Sequence, residues 1–234
     1  ILRHLQSLTR EDEIILQEYG EKLKVTWYTQ SGGLETVKPL NEAVSLNYSL
    51  PDHDIKMSFL PTDFTQVNFE LNQKMINLAL QLLDLNKEDE VIDLFCGLGN
   101  FTLPISRYVK TVVGIEGDSG LVERAKENAS QNGVSNASFY KADLFEDVSG
   151  FEWFRGKKYS KALIDPARSG AIEIVELLPR LDVERLVYVS CNPSTLARDT
   201  SRLIDLGFTL SSAGVMDMFP QTAHVESIAL FLKK

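Results

Sequence analysis

Apolar residues change their spacing along the chain near Pro61, and each spacing predicts a different kind of element. From Leu8 to Lys24, Ile14, Ile15, Leu16, Tyr19 and Leu23 recur among charged residues at helical intervals, with Thr9 placed to cap the first turn and Gly20 near the end. Val25 to Thr29 reads as a short strand and Ser31-Gly32-Gly33 as a turn. The stretch to Met57 reads as strand-like pieces punctuated by Pro and Asn. Residues 1–60 are therefore expected to form a small α+β segment, and residues 61–234 a separate domain.

After Phe64, short β-branched and aliphatic runs alternate with helical segments. Strands are predicted at Val91–Phe95, Thr111–Glu116, Ala137–Ala142, Lys161–Asp165 and Arg185–Ser190. Helices are predicted at Asn68–Leu83, Phe101–Tyr108, Gly120–Asn132, Ile172–Leu178 and Pro193–Leu206. Phe208–Val215 and Val225–Leu232 have no helical stretch between them and are expected to pair as antiparallel strands. This alternation specifies an α/β architecture, a doubly wound and mostly parallel sheet closed by an antiparallel C-terminal hairpin.

Composition narrows the function classes. Of 234 residues, 44% are apolar, enough for a sizeable core, yet no run approaches the roughly 20 apolar residues that a membrane span needs. The 24 Lys and Arg against 33 Asp and Glu give a net charge of −9, which argues against a protein that grips polyanions by bulk charge. An enzyme with a local basic patch is still compatible with that balance. The two cysteines, Cys96 and Cys191, are too few and too far apart for a metal cluster or a disulfide framework, so no metal and a reducing, cytoplasmic setting are expected. Ile1 followed by Arg3 and His4 does not open a signal peptide, and the chain is expected to be a piece of a longer protein.

Candidate chemistry gathers at the carboxyl ends of the predicted strands. The first strand runs into Cys96-Gly97-Leu98-Gly99-Asn100, a glycine-containing turn through which backbone can approach a ligand closely. Glu116, at the end of the next strand and about 20 residues on, is spaced to accept from a ribose diol. Asp143, after the third, is placed to accept from an adenine amino group. Each carboxylate alone is also compatible with a helix cap. Thr102 stands where a dinucleotide fingerprint has its third Gly, which favours S-adenosylmethionine over NAD or ATP. The fourth strand ends Asp165-Pro166-Ala167-Arg168, without the Pro-Pro-aromatic sequence of enzymes that methylate exocyclic amines. The fifth ends Ser190-Cys191-Asn192-Pro193, placing a thiol just before a helix start, where the dipole is expected to favour the thiolate. Cys96 is expected to be core packing. Glu226, opening the last strand, is either a general base or a solvated strand-end charge.

Phe64-Thr65-Gln66-Val67-Asn68, the run from Asp93 to Pro104, Asp165-Pro166-Ala167-Arg168, Ser190-Cys191-Asn192-Pro193, Asp217-Met218-Phe219-Pro220 and His224-Val225-Glu226-Ser227 together resemble the RNA uracil-5-methyltransferases, most closely those of bacterial 23S ribosomal RNA. The resemblance implies a Rossmann-like, class I S-adenosylmethionine-dependent fold with 23S rRNA as partner. It implies Cys191 as nucleophile and Glu226 as base. Gln66, Phe95, Asn100, Glu116, Asp143 and Asp165 would surround S-adenosylmethionine, with Asp165 also near the target base. Residues 1–60 would belong to a central RNA-contacting domain. Relatives also carry a TRAM domain and a four-cysteine iron-sulfur cluster, and this sequence has neither. A transfer RNA substrate and a noncatalytic binding module are the alternatives. Phe64 and Phe219 are candidates for base stacking or for the core. Lys157, Lys158, Arg168 and Arg198 are candidate phosphate contacts.

Overall fold

A computed structural model describes residues 1–233. By their contacts these residues fall into two compact units, one of Ile1–Tyr48 with Ser58–Phe64, the other of Ser49–Met57 with Thr65 onward.

In the smaller unit, helix α1 (Arg10–Leu23) starts at a capping box. The Asp12 amide donates to the Thr9 hydroxyl at 3.2 Å, and the Thr9 amide donates to the Asp12 carboxylate at 2.9 Å. The helix runs past Gly20 to a left-handed cap at Lys24. Strand β1 (Leu2–Arg3) lies parallel to β2 (Tyr28–Gln30), which pairs antiparallel with β3 (Lys38–Pro39). The strand expected from Val25 begins three residues later, because the Val25 amide closes the helix end on the Gly20 carbonyl. Phe64 is 72% exposed and takes no part in a core.

Strands β4 (Leu46–Leu50) and β5 (Ile55–Phe59) form a two-stranded ladder, whose connecting segment packs within the larger unit. There Arg107 donates to the carbonyls of His53 and Asp54, and Asn132 exchanges two hydrogen bonds with the Lys56 backbone. Helix α2 (Phe69–Leu83), capped by Asn68, buries Met75, Ile76, Ala79, Leu80 and Leu83 along one stripe.

The sheet of the larger unit contains β6 (Glu90–Leu94), β7 (Thr111–Glu116), β8 (Ala137–Lys141), β9 (Lys161–Ile164), β10 (Arg185–Ser190), β11 (Phe208–Met216) and β12 (Glu226–Lys233). Their spatial order is β11-β12-β10-β9-β6-β7-β8. Strands β6 to β10 pair in parallel, and β12 enters antiparallel between β10 and β11. The order reverses between β6 and β9, which opens a crevice at the carboxyl ends of the central strands. Interior strands read as continuous apolar runs because both faces are covered: β9 and β10 are buried along almost their whole length.

Helices α3 (Thr102–Ser106), α4 (Ser119–Gln131), α5 (Ile172–Val175) and α6 (Pro193–Asp205) complete the unit. Helix α5 is shorter than predicted, since Pro179 has no N–H to carry the hydrogen-bond series on to the Val175 carbonyl, and the chain continues as a 3-10 turn, Leu178–Leu181. The β8–β9 crossover contains no helix. It buries Trp153, Phe154 and Tyr159, with the Tyr159 hydroxyl donating to the Trp153 carbonyl at 2.6 Å.

Candidate active site

At the carboxyl end of β6 the backbone turns through positive φ at Phe95 (65°), Gly97 (53°) and Gly99 (91°). A phenylalanine in the left-handed region is costly and is held here by neighbours: the Cys96 amide donates to the Ile115 carbonyl and the Asp165 amide to the Leu94 carbonyl. Glu116 ties the turn to β7. Its carboxylate accepts the Gly97 amide at 3.1 Å and the Gly117 and Asp118 amides at 2.7 and 3.0 Å. Asn100 exchanges amide hydrogen bonds of 3.0 and 3.1 Å with Asn72, a fully buried residue of α2. Asp143 is exposed beyond β8 and accepts the Phe145 amide, while Phe145 packs against Phe95 with ring centroids 5.7 Å apart. The buried amide oxygen of Gln66 has no hydrogen-bond partner among the described residues.

Under the turn, Asp93 is completely buried. Burial pushes its carboxyl up to about 7, opposed by the Thr102 hydroxyl, which donates to Oδ2 at 2.5 Å. Its Oδ1 lacks a partner. Thr102, the residue standing in place of a third glycine, therefore serves to satisfy this acid. Thr102→Val is expected to lower stability by about 1–3 kcal/mol, read as a shift of the urea midpoint, because it strips a buried carboxyl of its donor.

Strand order gathers the candidate groups at one end of the sheet. Ser190 of β10 faces Ser227 of β12 as the last pair of the ladder, and Cys191 and Glu226 are the next residue on each side of it. Asp165 follows β9, the other neighbour of β10. Glu226 is buried, which pushes its carboxyl up to about 7. Asp165 is pushed up to about 8 by burial, then by the negative charges of Glu226 and Asp93. For Cys191 the environment overturns the expectation of a lowered pKa. Burial, then Glu226 and Asp165, push the half-buried thiol up, with only its own amide and Arg168 acting the other way. Cys96 is buried against the turn, and its thiol is pushed well above its ordinary range by burial, as packing would have it.

A carboxyl that is harder to ionise in the folded state stabilises the fold least when it is ionised. The stability associated with Glu226 is full below its ordinary pKa of 4.5 and is lost as pH rises through about 7. Glu226→Gln is therefore expected to be more stable than the parent by about 1–3 kcal/mol at pH 8 and equal to it near pH 4, in denaturant titrations.

Arg168 stands at the rim, its guanidinium 3.1 Å from the His224 ring, and His224 meets Phe219 edge-on at 5.8 Å between centroids. Lys157 and Lys158 lie shortly before the amino end of β9, whereas Cys191 follows the carboxyl end of the neighbouring parallel β10, and Lys158 pairs with Asp182 at 2.7 Å. Among the described residues no three His, Cys, Asp or Glu side chains gather as metal ligands, and the two cysteines do not fit an iron-sulfur cluster.

Sequence reasoning missed Asn72, Tyr188 and Asp199. For Asp199 a signal exists, because it interrupts the apolar stripe of α6 between Leu196 and Leu203.

A glycine turn at the reversal of a mostly parallel sheet, finished by an antiparallel hairpin, is the fold of class I S-adenosylmethionine-dependent methyltransferases. A Pyrococcus abyssi tRNA (uracil-54, C5)-methyltransferase in complex with S-adenosyl-L-homocysteine superposes with a TM-score of 0.71 at 26% identity, over 89% of this chain and 50% of that one. M. jannaschii TYW2 in complex with AdoMet shares the fold, with a TM-score of 0.61 at 17% identity over 85% of this chain and 91% of that one. The family model for tRNA (uracil-5-)-methyltransferases matches residues 15–234, and the chain belongs to that family. A Vesicomyosocius okutanii protein named 23S rRNA (uracil(1939)-C(5))-methyltransferase RlmD is 68% identical over the whole chain, and one of the same name from Xanthomonas campestris is 53% identical. The chain spans 53% of the length of each, about half.

Proposed function

We propose that this chain is the catalytic part of an enzyme that transfers the methyl group of S-adenosylmethionine to carbon 5 of a uridine in 23S ribosomal RNA, by way of a covalent cysteine–uracil adduct. The observation that carries the reading is the β10–β12 ladder, whose last pair is followed on one strand by a thiol and preceded on the other by a buried carboxylate, at the crevice of a methyltransferase fold. The whole-chain identity to proteins named for 23S rRNA favours that substrate over tRNA. Residues 61–234 are assigned to the catalytic domain and residues 1–60 to part of an RNA-contacting domain, in a cytoplasmic protein. No helix among the described residues is long and apolar enough to cross a membrane.

The turn fits the cofactor. Gly97 leaves open space where a side chain would stand, and Gln66 offers an unpaired acceptor. Phe95, Asn100, Glu116, Asp143 and Asp165 line up along the same strand ends to hold the nucleoside and amino-acid portions. When bound, S-adenosylmethionine would supply an electrophilic methyl group, its sulfur keeping the electron pair of the broken bond as S-adenosylhomocysteine leaves.

Carbon 5 of uracil is a weak nucleophile until carbon 6 is attacked. The Cys191 sulfur forms a bond to carbon 6, and the electron pair of the 5,6 double bond moves towards carbon 5 and the carbonyl. Carbon 5 then takes the methyl group. Glu226 removes the proton from carbon 5, and the sulfur–carbon 6 bond breaks to restore the double bond. With its raised pKa, Cys191 needs its proton taken as it adds. The half-buried thiol gives that proton to solvent, which leaves Glu226, half ionised near pH 7, free to take the one on carbon 5. Asp165, largely protonated near pH 7, is able to donate to the developing oxyanion of the uracil. The target base must leave its stack to reach this crevice.

The test is incubation of the full-length protein with labelled S-adenosylmethionine and a 23S transcript containing 5-fluorouracil, with a tRNA transcript in parallel. Fluorine at carbon 5 cannot leave as a proton, so a labelled protein–RNA band is expected on a denaturing gel with the 23S transcript. Methylation of ordinary 23S RNA with no such band would overturn the adduct, and a band with tRNA alone would overturn the substrate.

A further inference from the structure

One fully buried carboxylate joins three elements behind the reactive row. Asp199, in the second turn of α6, accepts the Tyr188 hydroxyl at 2.6 Å and the Ala171 amide at 2.8 Å on Oδ2, and Arg198 Nε at 2.7 Å on Oδ1. Tyr188 belongs to β10, three residues before Cys191. Ala171 ends the loop that follows β9 and carries Asp165 and Arg168. The first turns of α6 hold the same loop elsewhere. Asn192 Nδ2 and Thr195 Oγ1 both donate to the Arg168 carbonyl, at 2.9 and 3.3 Å, and Arg198 Nη2 donates to the Ser169 carbonyl at 3.0 Å. Gly170, at φ 80°, passes so close that a Cβ there would lie 2.7 Å from Asp199 Oδ2.

Folding alone does not call for a charge at this position. Leu196 and Leu203 lie on the same face of α6, and an apolar residue between them would bury that face without desolvating a carboxylate. What the carboxylate adds is direction, because its two oxygens fix β10, the β9 loop and α6 at once. We propose that Asp199 is a positioning residue that sets where Cys191 stands relative to Asp165 and Arg168. This rests on the reading of Cys191 as the nucleophile. A displacement on the order of 1 Å between reacting groups costs about a hundredfold in rate, so a clamp this close to the thiol acts on the chemical step more than on ligand affinity.

The experiment measures adduct formation on the 5-fluorouracil transcript under single-turnover conditions, with S-adenosylmethionine affinity by calorimetry and the RNA concentration for half-maximal rate. Asp199→Asn leaves one acceptor oxygen and turns an amide against a donor. It is expected to slow adduct formation by about 10- to 100-fold while both affinities stay within about twofold of the parent. A rate within about twofold of the parent, or a rate loss matched by an equal loss of cofactor affinity, overturns the proposal. Should Asp199→Asn not fold, Tyr188→Phe removes the β10 donor alone and is expected to slow the adduct about threefold or more at unchanged affinities; a parental rate overturns the proposal. Cys191→Ala is run alongside. If that variant still forms the adduct, the nucleophile assignment fails and takes this inference with it. If it is dead and Asp199→Asn is as fast as the parent, the inference alone fails.

Discussion

Cys191→Ala is expected to lose methyl transfer to uridine by at least about a thousandfold while binding S-adenosylmethionine with unchanged affinity. The loss is large because no second nucleophile is at hand. The other thiol, Cys96, is buried against the glycine turn, and its ionisation is suppressed by burial and by Asp93 and Glu116. Affinity should survive because most groups assigned to the cofactor lie at the ends of β6, β7 and β8, with Gln66 before α2 and Asp165 alone beside the thiol, whereas Cys191 follows β10. Filter binding of labelled cofactor and methyl incorporation into a 23S transcript check the two halves separately. Retained incorporation would sink the cysteine mechanism.

Glu226→Gln is expected to stall the reaction one step later. Methyl transfer leaves a proton on carbon 5 that must go before the sulfur can, and a glutamine cannot take it. A protein–RNA adduct should therefore accumulate on ordinary uridine RNA, with turnover lower by about 10²- to 10⁴-fold. With its carboxyl at about 7, the parent enzyme should lose rate as pH falls below 7, approaching tenfold per pH unit, and the residual rate of the variant should lack that limb. Undiminished turnover of the variant would transfer the base role to another group.

Much of the parallel sheet was legible because its strands are buried on both faces. Thr111–Glu116 and Arg185–Ser190 form with the predicted ends, each an aliphatic run bounded by charged or polar residues. Asn68, Asp118 and Asn192 cap their helices through the side-chain bonds that their residue types favour. What was not legible depends on residues distant in sequence. The helix expected from Phe101 to Tyr108 shrinks to five buried residues, since it lies sealed beneath the turn rather than presenting an amphipathic face. The Cys191 thiol was expected to be acidified by the helix starting at Pro193, a local feature. Its surroundings are instead set by Asp165 and Glu226, which only strand order brings beside it. Likewise no local pattern announces that β12 enters between β10 and β11, although that insertion is what delivers Glu226 to the row.

The ladder between β10 and β12 pairs six successive residues, from Arg185 with Leu232 to Ser190 with Ser227, through the interior of the sheet. Six successive residues of β12 are buried, so a slip by one residue would exchange the side chains packed on its two covered faces, and the spacing of thiol and carboxylate is as durable as the sheet itself. Enzymes whose reactive groups sit on mobile loops lose activity on warming well before they melt. Here heat inactivation and global unfolding should coincide, and tolerance to heat should rise with any change that strengthens the sheet, even one far from the crevice.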